Sequence, residues 1–250
     1  MLKFDKILTE DESKLYSSKV LNHKNLFRSY ADNKFYILGA ASYANNLEQY
    51  NLIKNEINPI LKKDFIDLLY LIKNYLKQIL NEECFFDENL SYPGFQMFYA
   101  NHKDALLPLT SLHIDTPYEL HKDYLSNKYK DIDFHSPITF TLSLNLPKNR
   151  NGLYYWDLND WENKTAEDSD EFYSSVYKLY DDLFKIKIPS RIEYENFLKP
   201  KIIDYKNGHI MFFKGNLLHQ IMPFYESSKE CRITLQGHGL RTKQGWLLYF

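Results

Sequence analysis

Residues 111 to 117 read Ser-Leu-His-Ile-Asp-Thr-Pro, and this run holds a pair with metal-binding chemistry, His113 and Asp115. Side chains alternate along a strand, so the two point to one face, roughly 7 Å apart along the chain. Placed so, both can reach one metal ion. A third donor, His219, lies far downstream in LLHQIMPF, a run whose β character lets it return on a neighbouring strand. Two imidazoles and one carboxylate on one face of an octahedral iron(II) leave three positions open, enough for a bidentate ligand and then dioxygen. A closed structural zinc site takes four protein ligands, usually with cysteine, and neither Cys84 nor Cys231 stands in a paired metal-binding spacing. Beyond His219, the segment CRITLQGHG carries Arg232 and, two residues on, Thr234. A guanidinium fork beside a hydroxyl on one strand face suits a carboxylate, and burying the cation is costly without a charged partner. The pair predicts a clamp for a dicarboxylate.

These groups need a β scaffold, and the chain supplies its pattern from about residue 94. Short β-branched or aromatic runs separated by turn residues follow one another: GFQMFYA, LTSLHI, ITFTLSLNL, GLYYW, KIIDY, HIMFF, LLHQIMPF and CRITLQGHG. Seven or eight short strands at this spacing predict a sandwich or jelly roll. Ahead of them, Thr9 with Glu12 is a capping-box pattern, and Leu15, Val20, Leu21 and Phe27 predict a helix to about residue 28. A stronger helix is predicted after Pro59, where Leu61, Phe65, Leu68, Leu69, Ile72, Leu76, Ile79 and Leu80 recur at spacings of three and four. Its apolar stripe needs a sheet to cover. Between about 157 and 199 the run EFYSSVYKLYDDLF predicts a helical insertion, bounded by Pro189 and Pro200 and placed on the surface as a lid.

A chain of 250 residues suffices for one well-buried domain, and no repeat or low-complexity linker divides it. Lys+Arg 31 against Asp+Glu 33 gives a net charge of -2, with the lysines scattered among acids, which argues against a nucleic-acid partner. The acidic start MLKFDKILTEDESK does not read as a secretory signal, and the longest apolar runs are too short to span a bilayer. With two cysteines read as reduced thiols, the expectation is a cytoplasmic protein without a membrane partner.

With these residues in place, the sequence resembles the 2-oxoglutarate and iron(II)-dependent oxygenase superfamily. The resemblance rests on His113-x-Asp115, the distal His219 and Arg232-x-Thr234. Gly208, opening GHIMFFKGNLLH, and the pattern FTLSLNLPKNRNGLYYWD add to it, and together these features cover roughly residues 94 to 240. The resemblance implies a mainly β fold with flanking helices (α+β). Its core is a cupin-like double-stranded β-helix, or jelly roll, over 94–240, supported by residues 1–90 and interrupted by the insertion at 157–199. It also implies that His113, Asp115 and His219 bind iron(II), while Arg232 pairs with the distal carboxylate of 2-oxoglutarate and Thr234 assists. Tyr99 matches in place the tyrosine that many members use on the cosubstrate, with Asn101 or Gln96 as alternatives. The implied reaction uses O2, converts 2-oxoglutarate to succinate and CO2, and hydroxylates an unactivated carbon. Because Asp115 is present, the resemblance argues against halogenation. Desaturation, cyclisation and demethylation share the same ligands and stay open, as does the oligomeric state.

Tyr118, His121 and Trp156 follow elements expected to end near the metal and are candidates for the substrate pocket, against simple packing of the aromatics. Phe172, Tyr173, Tyr177 and Tyr180 in the insertion read as packing, and His23, His102, His135 and His209 as ordinary polar residues, with His238 left undecided. The leading expectation is an enzyme acting on a small molecule such as an amino acid or a natural-product intermediate. A hydroxylase of a protein or peptide residue is a second reading. A metal-binding cupin-type sensor without oxygenase activity is a third, disfavoured by Arg232 and Thr234.

Overall fold

A computed structural model of the chain describes residues 2–30, 35–99, 113, 115–148, 152–156, 201–214, 217–222 and 231–250. In chain order the elements are β1 (Leu2–Lys6), α1 (Glu10–Asn22), β2 (Arg28–Tyr30), β3 (Phe35–Leu38), α2 (Leu47–Asp64), α3 (Ile66–Leu80), β4 (Cys84–Phe86) and β5 (Gly94–Tyr99). They continue with α4 (Lys122–Lys128), β6 (Asp133–Asn145), β7 (Gly152–Trp156), β8 (Lys201–Asp204), β9 (His209–Lys214), β10 (Leu218–Ile221), β11 (Cys231–Thr242) and β12 (Gly245–Tyr249). Among the described residues these strands form a large sheet in the order β1-β9-β6-β11-β5-β3-β2, with β12 pairing both β11 and β4, and a small sheet in the order β10-β7-β8. All the ladders are antiparallel except the one between β12 and β4. No helix of this part is long and apolar enough to cross a membrane.

The period of two in the sequence separates the two faces of the large sheet. Phe95 and Met97 of β5, Phe140, Leu142 and Leu144 of β6, Ile210 and Phe212 of β9, and Ile233 and Leu235 of β11 are buried in the core with the helices. From the helices come Tyr50, Ile53, Ile57 and Leu61 of α2 and Leu68, Leu69, Ile72 and Leu76 of α3, spaced so that each helix buries one stripe. Each fully buried large side chain contributes about 1.5–3 kcal/mol, so this layer dominates the stability of the fold. The intervening residues, among them Thr139, Thr141 and Ser143 of β6 and Arg232, Thr234 and His238 of β11, are buried on the other face. There the small sheet packs over β9 through Leu153, Tyr205, Met211 and Phe213. The fold is a mainly antiparallel jelly-roll sandwich with flanking helices, and its polar inner face lies between the sheets.

Three boundaries differ from the sequence reading. The capping box is present, with Glu12 N donating to Thr9 Oγ1 at 3.2 Å and Thr9 N to Glu12 Oε2 at 2.7 Å, but α1 stops at Asn22 instead of about 28. A short 3-10 turn at Lys24–Leu26 follows, and Arg28–Tyr30 then forms an edge strand on β3. Pro59 lies inside α2 and does not open a helix. Asn46 caps α2 by accepting from Gln49 N at 2.9 Å, and the break between α2 and α3 falls at Phe65, whose buried ring meets Phe95. The region before residue 90 therefore contributes four strands as well as helices. The expected insertion at 157–199, with Phe172, Tyr173, Tyr177, Tyr180, Pro189 and Pro200, lies outside the described residues.

Candidate metal centre

The three candidate ligands converge. His113 N donates to His219 O at 3.0 Å and His219 N donates to His113 O at 2.9 Å, an isolated antiparallel bridge beside the small sheet. Directly paired residues share a face, and the two rings stand 4.4 Å apart between centroids. Asp115 lies between them, with Oδ1 3.5 Å from His113 Nε2 and Oδ2 3.8 Å from His219 Nε2. One ligand atom from each residue lies within 4.8 Å of the others.

Electrostatics favour the forms a metal needs. Burial pushes the Asp115 carboxyl up, but His219 and then the hydrogen-bonded His113 outweigh it and hold the group well below the usual range. Burial pushes His219 down to about 4 despite the nearby carboxylate, so its imidazole is neutral. His219 Nδ1 lies 2.8 Å from the carbonyl of Leu217, which only accepts, so Nδ1 carries the proton and the Nε2 lone pair faces the other ligands. The Phe213 ring packs edge-on against His219 at 5.1 Å and holds it in place. His113 is the open side, its side chain 32% exposed against 5% for His219. The donor set fits a metal with vacant positions, because two imidazoles and a carboxylate meet at one point.

Further along the polar face lies Arg232, 2% exposed. Its Nη1 donates to the Gly152 carbonyl at 3.5 Å, and its Cζ stands 4.7 Å from the centre of the Tyr205 ring and 5.9 Å from that of Phe98. Burial lowers the guanidinium pKa, opposed by Tyr205. No carboxylate among the described residues forms an ion pair with it, and Arg232 Nε and Thr234 Oγ1 are both buried without a hydrogen-bond partner among those residues. A buried cation with an unsatisfied donor beside an unsatisfied hydroxyl is costly unless an anion completes it. Gly152 makes this arrangement feasible, because a Cβ there would lie 2.1 Å from Ile203 O and would force β7 off β8. The Gly152 carbonyl also accepts from Met222 N at 3.1 Å, which sets Arg232 level with a position three residues beyond His219, roughly 10 Å along the strand.

Tyr99 does not stand with Arg232. In the β5–β11 register Arg232 faces Phe98 and Thr234 faces Gln96, whereas Tyr99 faces Cys231 and packs with the helix-side core, its ring edge-on to Tyr36. Alternation makes this necessary, and it also puts Gln96 and Tyr99 on opposite faces of β5. Gln96 is the polar residue of β5 on the inner face, between Gly94 and Phe98. Its amide donates to the hydroxyl of Tyr43, a half-exposed residue of the 3-10 turn Ser42–Ala44. Asn101 lies outside the described residues.

Of the pocket candidates, Tyr118 is buried with Leu90, Leu125, Leu240, Leu247 and Tyr249, and its ring meets Phe134 at 5.2 Å. His121 is buried 4.3 Å from the Tyr50 ring, and burial, then Lys54, push it down to about 4. Both have the surroundings of interior residues. Trp156 pairs with Leu218 in the small sheet, and its side chain lies outside the described part. His23 meets Asp64 at 3.0 Å and His209 stacks on Phe4, both away from the ligands, while His102 lies outside the described residues. Both cysteines are free and buried.

Sequence reasoning missed Tyr205 and Thr139 and left His238 undecided. Thr139 Oγ1 is 2.8 Å from Asp115 Oδ2 and 3.1 Å from His238 Nδ1. The parity that joined Arg232 to Thr234 also extends to Gln236 and His238, and the alternation of Thr139, Thr141 and Ser143 with apolar residues marks the facing row. Tyr205 had no such signal.

No family model matches the sequence, and no curated protein is significantly similar to it. Solved structures do match. An N-substituted L-amino acid dioxygenase from Burkholderia ambifaria AMMD is similar over 100% of this chain and 86% of that one, with a TM-score of 0.55 and 11% sequence identity. The structure of that dioxygenase in complex with alpha-KG gives the same figures. At this identity the likeness is one of fold.

Proposed function

We propose that the protein is an iron(II) and 2-oxoglutarate-dependent dioxygenase that hydroxylates an unactivated C–H bond of a small molecule, with an amino acid or a natural-product intermediate as the substrate class. The observation that carries this reading is the buried Arg232, which has no carboxylate partner among the described residues and lies on the inner face that also holds the two-histidine, one-carboxylate cluster. A structural metal site has no use for such a cation. A dicarboxylate that reaches from the metal to the guanidinium uses both.

In this reading His113, Asp115 and His219 hold iron(II), which when bound supplies the activation of dioxygen coupled to decarboxylation of the oxoacid. Arg232 receives the distal carboxylate as a charge-assisted fork, and Thr234 donates its hydroxyl to the same group. Tyr205 covers the guanidinium and keeps water from it, which strengthens the ion pair that forms. Phe213 excludes water from the buried side of His219. The exposed edge of His113 leaves the approach to the metal on that side. The dioxygenase from Burkholderia ambifaria supports amino-acid derivatives as the first substrates to try.

The test is an anaerobic titration of iron(II)-loaded protein with 2-oxoglutarate, followed by the weak visible charge-transfer band of a chelated oxoacid. A saturable band, lost in His219→Ala and weakened in Arg232→Ala, is expected. Its absence from folded, iron-loaded protein would favour a metal-binding protein of this fold without oxygenase activity. Succinate release in the presence of free and N-substituted amino acids, compared with peptides, then separates small-molecule from peptide substrates.

A further inference from the structure

We propose that Thr139 and His238 form a positioning relay that holds Asp115 as a one-oxygen ligand, leaving Oδ1 to the metal; this rests on the metal-centre reading above. Thr139 and His238 face each other directly across the β6–β11 ladder, and each is only 1% exposed. Their side chains therefore meet inside the fold, on the inner face. From there Thr139 Oγ1 reaches Asp115 Oδ2 at 2.8 Å and His238 Nδ1 at 3.1 Å.

The direction of each hydrogen bond follows from counting protons. A carboxylate that binds a metal is ionised and only accepts, so the one hydroxyl proton of Thr139 goes to Asp115 Oδ2. Thr139 Oγ1 can then only accept from His238, which fixes the proton of that imidazole on Nδ1. The chain runs from His238 Nδ1–H to Thr139 Oγ1–H to Asp115 Oδ2, with no choice left at any step. Occupying Oδ2 in this way disfavours chelation of the metal by both carboxylate oxygens. A chelating Asp115 would take one of the three positions that the cosubstrate and dioxygen need.

A relay of this kind differs from two polar residues that merely satisfy one another in the core. Its loss is felt at the metal, and a variant that restores only the relevant hydrogen restores metal binding. Outer hydrogen-bond partners of metal ligands are worth about 10–100-fold in affinity. Thr139→Val removes the hydroxyl at constant shape, and Thr139→Ser keeps it. His238→Asn places an amide N–H near the position of Nδ1, whereas His238→Leu removes the donor.

The experiment is calorimetric titration of the metal-free full chain with Co(II), together with the visible ligand-field spectrum of the Co(II) protein. Affinity about 10–100-fold weaker in Thr139→Val and His238→Leu is expected, with a changed ligand-field spectrum and with Thr139→Ser and His238→Asn close to the parent. Parent-like affinity and spectra in both Thr139→Val and His238→Leu would overturn the relay while leaving the metal centre intact. Weakened binding that Thr139→Ser and His238→Asn fail to restore would overturn it too, marking the pair as structural. Absence of Co(II) binding by the parent protein would overturn the metal-centre reading and the relay with it. Should Thr139→Val not fold, the comparison of His238→Leu with His238→Asn decides the question alone.

Discussion

His113 and His219 exchange both of their backbone hydrogen bonds, so the spacing of the two imidazoles is set by a β-bridge and not by side-chain contacts alone. The ligand geometry is thereby built before any metal arrives. Only Asp115, two residues beyond the bridge, depends on side-chain partners to be aimed.

Asp115→Ala removes the one anionic donor from between the histidines. Succinate formation from 2-oxoglutarate is expected to fall below detection, and Co(II) affinity to drop by more than the roughly 10–100-fold attached to an outer partner. Unchanged turnover would take Asp115 out of the ligand set.

Arg232→Met tests whether the buried cation is kept for a ligand. A methionine of similar length fills the space without a charge, so the cosubstrate-free protein is expected to be as stable or about 1 kcal/mol more stable. Binding of 2-oxoglutarate should weaken by about 2–5 kcal/mol, and the rise in melting temperature that the cosubstrate gives the parent should vanish. A variant that is strongly destabilised yet still binds 2-oxoglutarate would mean that Arg232 serves the fold.

Acid should weaken the fold partly through His121. Burial holds its folded pKa at about 4, below the ordinary imidazole value of about 6.5, so the unfolded chain binds the extra proton first. The stability it contributes is present above pH 6.5 and is lost as the pH falls towards 4, by roughly 3 kcal/mol in all. Urea unfolding of His121→Leu across that window should show a shallower acid limb than the parent, and identical limbs would rule His121 out as its source.

Gly208 is expected to resist substitution. Its φ is +77°, and an added Cβ would lie 2.3 Å from Leu8 O. The residue also joins the N-terminal segment to the sheet, its carbonyl accepting from Ile7 N and Leu8 N and its N–H donating to Ser143 O. Gly208→Ala should cost about 1–3 kcal/mol in equilibrium unfolding.

What could be read from the sequence was what depends on period. Alternation put His113 with Asp115 and Arg232 with Thr234, and the same alternation in ITFTLSLNL was there to be read but went unused. The same rule, followed one strand further, excludes Tyr99 from the face of Arg232 and admits Gln96. Contacts made by packing were not legible. Tyr205 reaches Arg232 from beyond β8, and Tyr43 reaches Gln96 from a 3-10 turn, with no spacing in the chain that announces either meeting. Short edge strands escaped for a related reason. Arg28–Tyr30 and Leu2–Lys6 are strands only because a sheet edge is there to receive them. The parallel pairing of β12 with β4 likewise joins segments far apart in the chain.

β11 lies against β6 along most of its length, against β5 in its first half and against β12 in its second. Arg232, Thr234, Gln236 and His238 are thus graduations on one ruler held from both sides, with ladder irregularities next to Thr234 and after Gly239 fixing where the scale begins. Point substitutions can change one mark at a time. Insertion or loss of a single residue within the strand would instead turn Arg232 and Thr234 towards the helices and bring Ile233 and Leu235 to the inner face. Descent with modification should therefore tolerate exchanges of residues in this strand far better than changes in its length.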